Sequence, residues 1–156
     1  MVTKLPQDFK DFLRLLGEHR VEYLLIGGYA VAFYGYPRPT ADLDVWIAMN
    51  PRNAHAAVSA LSEFGFVDAA LTAQVFLQRD RIVRMGHPPM RLELMTTIDG
   101  VDFEACYARR NIVDIDGQTV DLIDLADLRT NKAASGRAKD MADLEQLPNR
   151  PNEFKA

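Results

Sequence analysis

The sequence predicts an α+β fold: one mixed β-sheet with helices packed on it and a helical segment towards the C-terminus. Three observations carry this. Apolar residues recur at helical spacing in some segments and in period two in others, in the order helix, strand, helix, strand, helix, several strands, helices. Asp116-Gly117 separates two strand-like runs, a strong hairpin signal. Glycines and prolines punctuate the chain where these patterns change.

The elements follow in order. Leu5 to His19 places Phe9, Phe12, Leu13 and Leu16 on one stripe, as a surface helix does. Glu22 to Ile26 is a short apolar run ending in Gly27-Gly28 and reads as a buried strand. Tyr29 to Tyr34 reads as a short helix closed by Gly35, and Pro37 and Pro39 mark an extended loop. Ala41 to Ala48 alternates: Ala41, Leu43, Val45 and Ile47 face one way, Asp42, Asp44 and Trp46 the other. Pro51 to Phe64 is an amphipathic helix with Asn50 as cap and Gly65 as stop. Gln74 to Met85 reads as strand material around a turn at Arg79-Asp80, and Gly86 to Pro89 as a loop. Met90 to Met95 is a strand with Arg91, Glu93 and Met95 on one face. Asp102 to Arg109 reads as a short helix, and Ile112 to Ile115 with Gln118 to Leu122 as the hairpin. Leu125 to Ser135 and Ala138 to Leu147 are helices split by Gly136. Residues 1–147 are expected to form one domain and 148–156 a frayed tail.

Composition excludes several classes. A chain of 156 residues suits one domain, and one of this length buries roughly 70% of its unfolded surface. A single cysteine, Cys106, builds neither a disulfide framework nor a thiolate metal site, and an intracellular, cytoplasmic setting is the default expectation. Met1 to Lys10 carries early charges and no apolar run, which predicts no signal peptide. The longest uncharged stretch, Tyr23 to Pro37, has fifteen residues and is too short to span a bilayer as a helix. A net charge of −4 argues against an extended DNA or RNA track, though a local basic pocket for one nucleotide remains compatible with it.

The chemistry centres on Gly27-Gly28 and, after thirteen intervening residues, Asp42-Leu43-Asp44. Carboxylates two apart on a strand share a face, with Cα atoms about 6.5–7 Å apart. That spacing suits oxygen ligands converging on hard cations such as magnesium, shared with substrate phosphates. The same pattern on a wet strand face also serves solubility, so its neighbours matter. Gly27 and Gly28 sit where a strand passes into a helix, and bare glycines there admit phosphate oxygens to backbone N–H groups. They equally suit a plain tight turn. Glu93 offers a third carboxylate between core positions Leu92 and Leu94, and Arg38 and Thr40 stand just before Asp42. Arg38 can meet a phosphate or a carboxylate, or remain in solvent. His87 is the histidine placed near the site; Trp46 can lie beside a base, although a core role fits it better.

These residues match the nucleotidyltransferase superfamily pattern: Gly-Gly after a strand, a short helix, an acidic strand, then a later acidic strand. The chain resembles a group of small bacterial nucleotidyltransferase-like proteins related to the AbiEii abortive-infection toxins. The likeness runs across GGYAVAFYGYPRPTADLDVWI (27–47), RLELMTTIDGVDFEACYARR (91–110) and LIDLADLRTNKAASGRAKDMADLEQL (122–147). It implies a polymerase-beta-like fold, with Asp42, Asp44 and Glu93 as magnesium or manganese ligands and Gly27 and Gly28 on a phosphate loop. Glu93 stands where the closer group favours Asp. Lys132 falls on the family's late helix lysine, near the β- and γ-phosphates of an NTP substrate. Arg137, Lys139, Asp140 and Asp143 fall on a charged stretch that also reads as a salt-bridged helix start. The implied reaction is transfer of a nucleoside monophosphate from an NTP to a hydroxyl acceptor on a protein, an RNA end or a small molecule. A cognate antitoxin is the implied partner, and no membrane partner is expected. A non-catalytic binding module, a toxin–antitoxin component and a phosphohydrolase on the same acidic cluster are the alternatives.

Overall fold

The computed structural model describes residues 3–35 and 40–149. The expected extended loop at Pro37 and Pro39, with Arg38, lies outside the described residues, as do residues 150–156 of the expected tail.

The elements are α1 (Gln7–Glu18), β1 (Tyr23–Ile26), α2 (Gly27–Tyr34), β2 (Asp42–Ile47), α3 (Pro51–Phe64), a short 3-10 helix (Ala73–Leu77), β3 (Ile82–His87), β4 (Met90–Met95), α4 (Phe103–Ala108), β5 (Asn111–Ile115), β6 (Gln118–Leu122), α5 (Leu125–Ser135) and α6 (Ala138–Gln146). The strands form one mixed sheet in the order β3-β4-β2-β1-β6-β5. Its β2–β4 and β1–β6 pairs are parallel and the others antiparallel. The α+β expectation therefore holds, with helices packed on a mixed sheet. Among the described residues no helix is long and apolar enough to cross a membrane.

Burial of apolar side chains explains the arrangement. The predicted stripe on α1 is buried, with Phe9, Phe12, Leu13 and Leu16 in the core. β1 is buried at all four positions, as a central strand flanked on both sides must be. β2 buries Leu43, Val45 and Ile47 while Asp42 and Asp44 stay partly accessible, the alternation expected of one wet face. Asn50 caps α3 by accepting from the Asn53 N–H at 2.9 Å, and Gly65 ends the helix in the left-handed region.

Three segments differ from expectation. Ala73–Leu77 is 3-10 helix rather than strand, because only Phe76 needs burying and a single tight turn drives it wholly into the core. Gly86 and His87 extend β3 instead of forming a loop, so the turn narrows to Pro88-Pro89. Gly86 has φ +82°, and a Cβ there would lie 2.5 Å from the Met90 carbonyl oxygen, so the backbone of this hairpin end admits only glycine without rearrangement. α2 also begins at Gly27, two residues earlier than the periodicity indicated.

A buried asparagine joins the ends of β1 and β2. Asn53 on α3 accepts from the Glu22 N–H (2.6 Å) and donates from Nδ2 to the Glu22 and Ala48 carbonyls (3.0 and 2.9 Å). It ties the start of one strand to the end of its antiparallel partner. Asn53→Ala strands these backbone groups away from water and is expected to cost about 1–3 kcal/mol, measured as a lower urea midpoint with an unchanged slope.

Candidate functional site

The sheet register assembles the acidic site. In the parallel β2–β4 pair, Asp42 stands opposite Arg91 and Asp44 opposite Glu93. In the antiparallel β1–β2 pair, Ile26 stands opposite Asp44, so the first residues of α2 emerge beside that carboxylate. β3 adds Arg84 opposite Glu93. All of these but Arg91 line one side of a cleft of about 700 Å³, whose other side is formed by the 97–100 loop and the facing parts of α5 and α6. The volume is within the range of small-molecule sites.

The carboxylates are not equivalent. Burial, then the charge and hydrogen bond of Glu93, then the charge of Asp42, push the Asp44 carboxyl up to about 7, against some relief from Lys139. Two half-buried carboxylates this close hold a proton between them or need a cation. Asp44 Oδ1 is buried without a hydrogen-bond partner. Asp42 is held differently: Arg91 donates to both its oxygens, from Nε at 3.0 Å and Nη2 at 2.9 Å. Arg84 Nε donates to Glu93 Oε1 at 2.9 Å, and Arg91 Nη2 lies 3.5 Å from the same oxygen. The described residues accordingly contain no group of three aspartate, glutamate, histidine or cysteine side chains poised around one ion. The Asp44–Glu93 pair fits a hard divalent cation, since it offers an unpaired buried oxygen and excess negative charge. Asp42 joins such a set only when Arg91 lets go. The Arg84 and Arg91 side chains are 57% and 33% exposed, so both guanidinium groups have solvent to move into.

The glycine pair makes room for the acidic strand. Gly27 has φ +70°, and a Cβ on it would sit 2.1 Å from Asp44 Oδ2. A Cβ on Gly28 would sit 2.7 Å from Thr40 Oγ1. Both glycines also line the cleft at the N-terminus of α2, where helix N–H groups lack intrahelical acceptors. Thr40 lies behind them rather than in the cleft lining, its hydroxyl donating to the Asp42 carbonyl at 3.4 Å.

Lys132 lines the cleft but is not a solvated helix lysine. It is buried and paired to Asp140 at 2.8 Å and Asp143 at 3.2 Å. Asp140 also accepts from Ser135 Oγ and from Arg137 Nε at 2.9 Å. Burial works against ionisation of Asp140, but the hydrogen bonds from Lys132, Ser135 and Arg137 outweigh it and bring its carboxyl down to about 2. The charged stretch 137–143 is thus both a helix start and the clamp that joins α5 to α6. The cations presented to the cleft by more exposed residues are Arg79, Arg84, Arg137 and Lys139. Arg84 and Arg91 are the residues sequence reasoning passed over as ligands of the acidic group; their place opposite or between acidic positions on β3 and β4 was the available signal.

Two aromatic expectations resolve. Trp46 is core: it is buried, donates from Nε1 to the Thr96 carbonyl at 3.2 Å and meets the Phe103 ring edge-to-face at 5.1 Å. His87 ends β3 in solvent and is not among the residues lining the cleft.

The fold is that of a known structure. The chain superposes on the crystal structure of a putative nucleotidyltransferase from Thermotoga maritima with a TM-score of 0.58, over 89% of each chain at 16% identity. No protein-family model matches the chain, and no curated protein does. The likeness establishes a nucleotidyltransferase-type fold across nearly the whole length.

The geometry makes two predictions. Gly27→Ala combines a left-handed alanine, costing about 1–2 kcal/mol, with displacement of Asp44; denaturant unfolding should show a loss larger than that range. Asp44 binds its proton more tightly folded than unfolded. Its contribution to stability is therefore full below the ordinary carboxylate value of 3.8 and lost as pH rises through about 7. In metal-free buffer the melting temperature of Asp44→Asn should rise relative to the parent protein between pH 4 and pH 8, pH values chosen about those two limits. A difference independent of pH would contradict the assignment.

Proposed function

We propose that the cleft binds a nucleoside triphosphate with magnesium or manganese and transfers the nucleoside monophosphate to a hydroxyl acceptor. The observation that carries this reading is the placement of Asp44 directly opposite Glu93, with an unpaired buried oxygen, beside the N-terminus of α2. The nucleotidyltransferase-type fold supports the same reaction class.

In this reading Asp44 and Glu93 hold the metal, and Asp42 completes the set once Arg91 is displaced. The bound ion supplies charge stabilisation at the reacting phosphoryl oxygens and lowers the pKa of an attacking hydroxyl. The N–H groups at Gly27 and Gly28 donate to phosphate oxygens. Arg137 and Lys139 offset negative charge as pyrophosphate leaves, while Lys132, matched by Asp140 and Asp143, fixes Arg137 in place through their shared carboxylate. The Glu93 carboxylate, or that of Asp44, accepts the acceptor's proton. Arg84, released from Glu93, turns to the polyphosphate.

A second reading has its own support. Both Asp42 oxygens are taken by Arg91, and Glu93 is bonded to Arg84. If those pairs persist with nucleotide bound, the domain is a binding module and not an enzyme. The resemblance to AbiEii-related proteins adds a biological version of the first reading, in which transfer arrests growth and a co-encoded partner relieves it.

Incubation with each α-labelled NTP, magnesium or manganese, and cell lysate separates these. Transfer predicts label on protein, RNA or a small molecule with the parent chain, pyrophosphate release, and loss of both with Asp44→Ala. Label persisting in that variant would sink the assignment. Magnesium-dependent nucleotide binding without pyrophosphate release with any acceptor would establish the binding module. Growth arrest on expression, abolished by the same substitution, would support the toxin role.

A further inference from the structure

The cleft has a second end that the carboxylates and glycines do not use. Ile82 on β3 and Met95 on β4 are partners in the antiparallel ladder and so share a face. Arg84 and Glu93 are partners two residues along the same ladder and stand on that face too. Two residues along a strand span about 6.5–7 Å, so the apolar pair lies one pleat repeat from the acidic pair. Ile98 lines the same cleft. Ile82 is 50% exposed, and of the large hydrophobic side chains exposed among the described residues it is the one that lines the cleft.

Two polar side chains at this end are engaged within the protein, while those of Arg79 and Asp99 also line it. The Thr97 hydroxyl donates to Asp80 Oδ1 at 2.7 Å and accepts from the Asp80 N–H at 3.0 Å. Asn131 Nδ2 donates to the Asp99 carbonyl at 2.9 Å. No aromatic side chain is among the described residues that line the cleft.

We propose that Ile82 and Met95 seat the base of the bound nucleotide by aliphatic contact with its flat face. The inference rests on reading the cleft as a triphosphate site. The spacing supports it, because a base follows its α-phosphate by one sugar, a distance comparable to the pleat repeat.

The test is equilibrium binding to the full chain, in magnesium, of ATP, GTP, CTP, UTP and inorganic tripolyphosphate. Each nucleotide should bind about tenfold more tightly than tripolyphosphate, the effect of burying one modest apolar contact. Ile82→Ser should erase that advantage while leaving tripolyphosphate affinity and the melting temperature unchanged, since the side chain is half exposed. Nucleotides no tighter than tripolyphosphate, or an advantage that survives Ile82→Ser, would overturn the base seat alone. Failure of tripolyphosphate itself to bind would overturn the triphosphate reading, and the base seat with it.

Discussion

The parallel pairing of β2 with β4 is the constraint on which the site depends. Its register sets Asp44 against Glu93 and Asp42 against Arg91. A one-residue slip would turn every side chain of one strand to the other face. It would bury the acids where Leu43, Val45, Leu92 and Leu94 now sit, and expose those apolar residues to the cleft. The core and the site therefore select the same register. The apolar face supplies the free energy, and the wet face inherits its geometry. This is how a sheet can afford two carboxylates in forced proximity: the unfavourable contact is small beside the burial of the opposite face.

Charge compensation is the second organising feature, and it comes in two kinds. Around Asp140 and Lys132 it is largely buried, with Arg137 reaching in from an exposed position. Lys132, Ser135 and Arg137 converge on one carboxylate and join α5 to α6 across Gly136, whose left-handed conformation turns the chain between them. Breaking one member of a buried set leaves charge without water, so such a set holds geometry. Around Asp42 and Glu93 it is wet. Arg84 and Arg91 reach in from partly exposed positions on the sheet, where solvent competes with their ion pairs. The two sets thus differ in permanence: the α5–α6 clamp frames the cleft, and the sheet arginines are exchangeable counter-ions for the acids.

How much of this was legible in the sequence follows from which interactions are local. The period-two pattern at 41–48 gave β2 and the shared face of its aspartates, because strand periodicity is a property of consecutive residues. The boundaries of α3 could be read because Asn50, Pro51 and Gly65 carry the chemistry of its ends. Phe76 was misread as strand material, since a lone buried aromatic in a short run looks alike in either conformation. Asn53 gave no signal at all: its partners, Glu22 and Ala48, are met only after β1, β2 and α3 have packed. Lys132 reads as a phosphate-facing lysine because its two carboxylate partners lie eight and eleven positions on, beyond the helical spacing at which side-chain pairs are read from sequence. The Arg91–Asp42 pair spans 49 positions and depends wholly on the parallel register.

The glycine pair and the acidic pair, with thirteen residues between them, turn out to be one feature. β1 ends at Ile26, α2 carries the chain away, and β2 returns antiparallel so that Asp44 comes back beside Ile26. At that point the first residue of α2 has no space for a side chain, because the place of its Cβ is occupied by the Asp44 carboxylate. Gly28 is constrained in the same way by Thr40, which is itself bonded to the Asp42 carbonyl. The glycines are therefore needed whether or not a phosphate ever approaches them. Yet the same omission of side chains brings the open end of a helix, with its unpaired N–H groups, next to a carboxylate with an unpaired oxygen. Donors for an anion and a ligand for a cation are thereby placed side by side. That juxtaposition suits a metal-bound polyphosphate, which presents both charges at once, better than either ion alone.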